Sequence, residues 1–345
     1  MGTAAVIGGG IGGLAAGIAL HRKGWDVTVF ERNDLGAIGT GLGIWPSALR
    51  ALDHLGLGEQ VRATGRPQDD GAVRRPDGSL IATIDVRAIV RRHGEPVYLL
   101  ARPDLLQLLG SALPSRSLLL HRRVRLSDVR SDFDLVIGAD GIRSGVRQEL
   151  FGDRYALRYT GWTVWRGVSK LDVTAGGETW GRGLKFGVTP LRTGETNFYA
   201  VVAAPEHDPA DLDEAKRRFA GWHDPIPAVL DNATQILRHD LHYLDPPLPS
   251  FVDGNVALLG DAAHAMPPDL GQGACQAIID AVALADCVCA ATSVRSGLAA
   301  YDAQRRKPAQ RIAALAVRVS RITRTRHVRL RDAVAKVAFA FGPPG

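Results

Sequence analysis

The chain has few cysteines and no covalent or metal framework that they could build. Its 345 residues include only Cys275, Cys287 and Cys289, which form neither a C-x-x-C pair nor a metal-ligand spacing. This pattern predicts free thiols in a reducing compartment. No internal repeat or low-complexity tract is present either. With 46% hydrophobic residues, the length suits one large or two modest domains.

Long apolar runs are also missing. The N-terminal "MGTAAVIGGGIGGLAAGIAL" is apolar, but it is rich in glycine and has no basic flank, so it is a poor signal peptide or spanning helix. No other stretch reaches 18 uncharged apolar residues. We therefore predict a cytoplasmic protein without a membrane span.

Acidic residues are absent from one long segment near the C-terminus. Residues 305–331 carry ten basic residues and no acid, within a chain of net charge +6. The segment could dock a carrier protein or an anionic surface. However, Arg311, Arg318, Arg321 and Arg329 fall at helical spacing, which favours a solvated helix face. Nucleic acid is not expected as a partner, because no aromatic residues interleave the charges.

Glycine, by contrast, is abundant and patterned. Residues 3–32 contain a short apolar run, then Gly8, Gly10 and Gly13 as G-x-G-x-x-G, a helical stretch, and a second apolar run that ends on Glu31. These glycines allow a tight turn, close approach of a pyrophosphate, and helix-to-strand packing. A carboxylate at Glu31 can bind both ribose hydroxyls, so the unit predicts an NAD- or FAD-like nucleotide rather than NADP.

A second unusual stretch is "GDAAHAMPPDLGQGACQAIIDA" at residues 260–281. It places Asp261 after a buried apolar run, and a Pro-Pro pair and two glycines before a helical segment. A helix that starts this way presents free backbone N–H groups, which stabilise an anion. Between residues 155 and 245 the chain is rich in β-branched and aromatic residues, which predicts a separate antiparallel sheet.

Together with "ADGIRS" at 139–144, these ordered motifs resemble the p-hydroxybenzoate-hydroxylase-like, single-component FAD-dependent monooxygenases. The resemblance covers residues 4 to about 332 and implies an α/β fold. A Rossmann-type (GR2-like) FAD-binding domain would comprise residues 1–66, 96–154 and 246–300. An inserted antiparallel β-sheet substrate domain would comprise 67–95 and 155–245, before C-terminal helices at 301–345. The connection at 121–134 is shorter than is usual in the family.

The resemblance also implies roles for individual residues. Asp261 would accept a ribityl hydroxyl of FAD, and Pro268 would lie beside the isoalloxazine ring. Catalytic positions would be Pro268, Gly271 and Gly273. The cofactor-binding set would be Gly8, Gly10, Gly13, Glu31, Arg32, Gly43, Arg102, Asp140, Gly141, Asp261, Leu270, Gly271, Gln272 and Gly273.

Substrate contacts are less defined. Along residues 159–168, alternation puts Trp162 and Arg166 on one face and Trp165 on the other, and either face could meet the flavin. Phe186, Tyr199 and Pro268 are further candidates, although core packing is the alternative for each aromatic side chain. Arg166 or Arg192 could hold a carboxylate or phenolate, or lie at the surface.

The function that the resemblance implies is hydroxylation of an aromatic, polycyclic or polyketide-like small molecule. NAD(P)H would reduce FAD transiently, and O2 would then form a flavin C4a-hydroperoxide. No metal is expected. Two alternatives stay open: an FAD-dependent reductase or dehydrogenase of the same fold, and a non-catalytic binding protein of the GDP-dissociation-inhibitor type.

Overall fold

The computed structural model describes residues 2–36, 41–69, 71–83, 85–209 and 211–340. The end of the predicted C-terminal segment, residues 341–345, lies outside this range. The strands are β1 (Thr3–Ile7), β2 (Asp26–Phe30), β3 (Gly41–Ile44), β4 (Arg66–Pro67), β5 (Ala72–Arg74), β6 (Leu80–Thr83), β7 (Tyr98–Ala101), β8 (Leu118–Leu119), β9 (Leu135–Gly138), β10 (Ala156–Ser169), β11 (Gly177–Trp180), β12 (Leu184–Pro190), β13 (Thr196–Ala203), β14 (Ala233–Asp245), β15 (Val252–Asp253) and β16 (Val256–Leu258).

The helices alternate with strands in the first half and follow one another at the end. They are α1 (Ile11–Arg22), α2 (Pro46–His54), α3 (Gly58–Thr64), α4 (Val86–His93), α5 (Arg102–Ser111), α6 (Leu126–Val129), α7 (Gly145–Phe151), α8 (Leu212–Phe219), α9 (Ile226–Asp231), α10 (Asp261–His264), α11 (Gly273–Ala290), α12 (Val294–Thr323) and α13 (Val328–Ala340). Short 3₁₀ turns lie at Ser115–Ser117 and Pro268–Leu270.

A six-stranded sheet forms the nucleotide-binding half, in the order β15-β16-β9-β1-β2-β8. All of its pairs are parallel except β15 with β16. The central strand β1 is apolar and almost fully buried, as expected of a strand covered on both faces. Its carboxyl end runs directly into α1, so the glycine turn lies at the edge where ligands of open α/β sheets bind.

A seven-stranded sheet forms the other half, in the order β14-β10-β13-β12-β11-β5-β6. One face carries an aromatic core built from Trp165, Phe186, Phe198 and Phe219 under helices α8 and α9. Because side chains alternate along a strand, the intervening residues point to the opposite face. That face is turned toward the nucleotide-binding half.

Helix α11 is long and apolar enough to pass for a membrane span by composition. It is instead a core helix: more than half of it is buried, it packs against α1 and α12, and it carries the buried Asp280. Among the described residues no other helix meets that test.

The predicted fold class is confirmed: a parallel nucleotide-binding sheet, an antiparallel sheet and C-terminal helices are all present. The short 121–134 connection holds only α6, a single helical turn, where a longer β-meander is usual in the family. The domain boundaries themselves remain a prediction.

Candidate active site

One cavity of about 840 Å³ runs between the two halves of the molecule. Its walls are the glycine turn after β1, the paired strands β3 and β7, the open face of the seven-stranded sheet, and the loop that leads into α11. We call this last segment, residues 268–273, the flavin loop. The cavity therefore brings the three sequence motifs into one space.

The glycine turn has the shape that a pyrophosphate requires. Gly8 has a φ of +110°, and a Cβ at Gly13 would overlap the Gly8 carbonyl oxygen. Gly10 opens on free space in the cavity, and no side chain caps the start of α1 there. The first N–H groups of α1 are thus left for a ligand, and the helix dipole favours an anionic one.

Glu31 directly follows β2, beside this turn. Its two carboxylate oxygens accept from the backbone N–H groups of Gly9 (2.7 Å) and Asn33 (2.9 Å), which fixes its orientation. Each oxygen can accept a further hydrogen bond, so a ribose remains compatible with this arrangement. The neighbouring Arg32 is exposed and does not line the cavity.

Arg102 and Asp261 line the cavity, and their side chains have no hydrogen-bond or ion-pair partner among the described residues. Burial lowers the pKa of Arg102, and this effect exceeds the opposite effect of the negative charges of Asp261 and Glu31, which raise the pKa. Burial raises the pKa of Asp261, although His264, Arg102 and nearby arginines oppose it. Both side chains open on the cavity, so a ligand there can bond them directly. The hydroxyls and phosphates of FAD would satisfy both.

The flavin loop presents backbone to the cavity. Pro268, Leu270, Gly271 and Gly273 line it, and Gly271 adopts a left-handed φ of +63°. No side chain caps the first turn of α11. The side chain of Gln272 is buried and accepts from Gln276, so only its backbone is available. Free N–H groups at a helix start suit the negative edge of a reduced flavin.

Asp140 points away from the cavity, whereas Gly141 and Gly43 lie in its wall. The Asp140 carboxylate accepts from Ser144 and from the N–H of Val146 (3.1 Å), so it caps the start of α7 instead of facing the cavity. Gly141 does line the cavity, with a φ of +80°. Gly43 also lines it, so residues of all the predicted cofactor motifs surround one space.

A buried ionic network behind Gly260 supports the Asp261 turn. Asp280 bonds the ring of His264 (2.6 Å), the guanidinium of Arg305 (2.7 Å) and the N–H of Gly260 (3.1 Å). Burial alone would raise the pKa of Asp280, but His264 and Arg305 outweigh it and lower the pKa. The network thus holds the turn that aims Asp261 into the cavity.

Replacing Asp280 with Asn should therefore destabilise the fold by about 3–5 kcal/mol, because Arg305 would be left buried without its charge partner. The depressed pKa means that the wild-type contribution is present above the ordinary pKa of aspartate and is lost on acidification below it. Urea unfolding of wild type and variant at neutral and acidic pH measures both effects. Equal stabilities at neutral pH would contradict the assignment.

At the substrate end, the structure separates the predicted candidates by sheet face. Arg166 and Tyr199 pair across β10 and β13 and line the cavity. Trp165 and Phe186 are each about 1% exposed and lie in the core on the opposite face, so they do not reach the cavity.

Trp162 shares the cavity-side face and packs under Arg324. Arg192 is exposed and donates to the Gly65 carbonyl.

Four charged residues that the sequence interpretation missed complete this wall. Lys185 bonds both Glu178 (3.1 Å) and Asp269 (3.1 Å), and Arg324 also bonds Asp269. Burial disfavours the charge of Lys185, yet the two carboxylates raise its pKa. The pKa of Asp269 is lowered, because Lys185 and Arg324 outweigh its burial. These bonds tie the flavin loop to the substrate sheet and to the end of α12.

Tyr199 belongs to the same cluster, since its hydroxyl donates to Glu178. Burial and the Glu178 charge raise the Tyr199 pKa well above its ordinary value, so the phenol stays protonated. Its ring occupies the space that Gly187 leaves on β12. On β14, burial and the charge of Arg166 lower the pKa of His239 to about 4, which keeps its ring neutral at pH 7.

Comparison with known proteins gives a consistent result. The FAD binding domain family matches residues 119–316, and the FAD dependent oxidoreductase family matches residues 3–124. Aurachin C monooxygenase/isomerase of Stigmatella aurantiaca is 37% identical over 93% of this chain and 89% of that protein. The chain belongs to the FAD-dependent monooxygenases.

Two further relatives agree with this assignment. The 3-amino-4-hydroxybenzoate 2-monooxygenase of Streptomyces cremeus is 35% identical over 82% of this chain and 78% of its own length. The crystal structure of Klebsiella pneumoniae HpxO complexed with FAD and uric acid superposes with a TM-score of 0.88 at 28% identity, covering 96% and 91% of the two chains. The monooxygenase assignment favours oxygen insertion over the reductase and binding-protein alternatives.

FAD is the cofactor of this monooxygenase, and NAD(P)H is its reductant. When bound, FAD supplies the electron transfer from NAD(P)H and the oxygen chemistry. The unpartnered Arg102 and Asp261, the open glycine turn and the uncapped start of α11 fit such a group.

Proposed function

We propose that this monooxygenase hydroxylates a small aromatic compound with an ionisable ring substituent, and that Arg166 holds the substrate as an anion. The observation that carries the proposal is the guanidinium of Arg166. It lines the cavity on the substrate sheet and has no hydrogen-bond or ion-pair partner among the described residues. A half-buried, unpaired arginine is costly unless a ligand completes it.

The charges around Arg166 support an anionic ligand. Its cluster contains three cations, Arg166, Lys185 and Arg324, against two carboxylates, Glu178 and Asp269, which leaves one excess positive charge. The neutral ring of His239 does not change this sum. A substrate that arrives already ionised would neutralise this charge, and one that is ionised within the site would face it, so in both cases the attraction favours the anion.

Tyr199 offers a route for the proton that such a substrate loses. Its hydroxyl hydrogen is committed to Glu178, so its oxygen is free to accept a hydrogen bond from the substrate. As the substrate proton moves to Tyr199, the Tyr199 proton moves to Glu178. The ring then carries the negative charge beside Arg166, and its higher electron density favours attack on an electrophilic oxygen.

The relatives support this substrate class, because their names include uric acid and an aminohydroxybenzoate. We expect the enzyme to act in the cytoplasm on a freely diffusing small molecule.

The proposal is tested by recording the visible spectrum of the purified protein, and then NADH and NADPH oxidation with a panel of compounds. The panel contains phenols, hydroxybenzoates, hydroxyquinolines and purines, each beside its O-methyl or N-methyl analogue. We expect stimulated oxidation and incorporation of ¹⁸O from ¹⁸O2 with one ionisable member, and loss of both with its methylated analogue. Equal turnover of the methylated compound would refute the anionic substrate.

A substitution at Gly187 tests the position of Tyr199. In Gly187→Ala, the new methyl group would overlap the Tyr199 ring and displace it. Misplacement on this scale should lower product formation about 100-fold. FAD binding should persist, so NAD(P)H would be consumed with release of H2O2. Gly221→Ala is the control, since a Cβ there meets open space. Normal yield of product per NAD(P)H in Gly187→Ala would count against the role of Tyr199.

A further inference from the structure

We propose that the end of α12 and the outer face of α13 form a docking surface for an anionic lipid membrane. This C-terminal surface comprises three exposed apolar side chains and five exposed cations. The apolar residues are Ile322, Leu330 and Val334, and the cations are Arg318, Arg321, Arg326, Arg329 and Lys336.

The inner face of α13 is fastened to the protein, which determines what its outer face shows. Arg331 donates to the carbonyls of Trp180 and Gly181, and Asp332 pairs with Arg75 (2.8 Å). Ala335 packs into a small apolar cluster on the same side. The opposite side of the helix must therefore face away from the body of the protein.

That outer face is apolar where a solvated helix would be polar. Leu330 is 68% exposed, and Val334, one turn later, is 43% exposed. Ile322 at the end of α12 is 44% exposed. An apolar stripe of this kind is a mark of helices that lie in a membrane interface.

The cations around the stripe have nothing to neutralise them. None of the five forms an ion pair with a described residue, and the chain has no acid between Asp302 and Asp332. By contrast, Arg305, Arg324 and Arg331 of the same basic segment are buried in the networks described above. The segment thus divides into buried structural arginines and an exposed set without ion-pair partners among the described residues.

A cavity of about 470 Å³ lies between α13 and the turn after β11, on the side of the helix that Arg331 and Asp332 fasten to the protein. Its wall carries the exposed side chains of Arg182, Arg329 and Lys336 beside Trp180 and Val328. Arg329 and Lys336 are exposed and line this cavity, so they flank α13 between its fastened side and its exposed apolar side chains.

Charge decides between a membrane and a second copy of this chain. A two-fold dimer through the C-terminal surface would set the same cations against each other, because an isologous contact repeats one patch. Asp332 is the one acidic residue in the described part of α13. It is buried and already paired with Arg75 and Arg331, so it cannot offset this repulsion. An anionic bilayer accepts both the apolar side chains and the cations.

The test uses the FAD-loaded full-length protein and sedimentation with vesicles. One set contains phosphatidylcholine alone, and the other contains phosphatidylcholine mixed with phosphatidylglycerol. We expect binding to the mixed vesicles that weakens with added salt, and little binding to phosphatidylcholine. Arg326→Gln and Arg329→Gln should each weaken binding about fivefold. The double variant Leu330→Ser/Val334→Ser should weaken it more than about tenfold.

Leu120→Ser is the matched control, because Leu120 is also exposed (37%) but lies outside the surface. All variants are checked for bound FAD and thermal unfolding. Wild-type protein that stays in the supernatant with both vesicle types would overturn the proposal. So would variants that bind like wild type. Concentration-dependent dimers that disappear in the Leu330→Ser/Val334→Ser variant, without vesicle binding, would assign the surface to a second copy.

Discussion

Asp261→Ala protein will purify with little of the yellow colour of the wild type, and its affinity for added FAD will fall about 100-fold. The Asp261 carboxylate lines the cavity without a partner among the described residues, on a turn held by the Asp280 network. A charged acceptor contributes about 1.5–3 kcal/mol to a hydrogen bond that it completes. Removing it also leaves the bound hydroxyl unsatisfied. Quenching of FAD fluorescence on titration into apoprotein measures the change.

The wild type should show a related dependence on pH. Because burial raises the pKa of Asp261, this group protonates at a higher pH than an exposed aspartate, and FAD affinity should fall on mild acidification. Asp172→Ala, at an exposed acid away from the cavity, controls for loss of charge alone. If Asp261→Ala retained wild-type affinity with an intact thermal transition, the ribityl assignment would be wrong.

The nucleotide-binding half was predictable because its constraints are local. Gly8, Gly10 and Gly13 are needed for backbone reasons that a short sequence displays directly, and the structure shows the positive φ and the close approach at these positions. The apolar runs before Gly8 and Gly260 marked buried parallel strands correctly. Asp140 was the exception, since an Asp-Gly turn does not reveal whether its carboxylate caps a helix or faces a ligand.

The substrate half was not predictable to the same degree, because which face of an antiparallel strand meets the site depends on the other domain. Alternation correctly grouped Trp162 with Arg166, but it did not select their face. The aromatic candidates Trp165 and Phe186 lie one residue from Arg166 and Lys185, which do line the cavity. Lys185 was detectable in principle, as a lysine within the apolar strand "LKFGV".

Arg324 shows a different limit. In the sequence it was one of ten cations in a run that favours a solvated helix face, whereas in the structure it bonds Asp269 of the flavin loop. Long-range pairing between residues 55 positions apart leaves no local pattern. The composition of the segment indicated an exposed basic helix face, which holds for most of its cations. It could not indicate that Arg324 reaches the site.

The second large effect is expected for Arg166→Gln. The variant should bind FAD normally, because Arg166 lies on the substrate sheet, but its KM for an ionisable substrate should rise about 100-fold. This estimate follows from loss of a charge-assisted hydrogen bond in a poorly hydrated site. The pKa of the bound substrate should also rise, which would shift the acidic limb of the kcat profile to higher pH. Steady-state NAD(P)H oxidation with the ionisable substrate identified from the panel, measured across pH, gives both quantities.

Arg192→Gln is the matched control for this substitution. Arg192 was the other arginine considered for substrate binding, and it is exposed, with its guanidinium on the Gly65 carbonyl. We expect its KM and pH profile to match the wild type. Arg166→Lys should recover part of the affinity, since it restores charge without the two-pronged geometry. An unchanged KM in Arg166→Gln, or equal losses in both Gln variants, would mean that the anion is held elsewhere, with Lys185 as the next candidate.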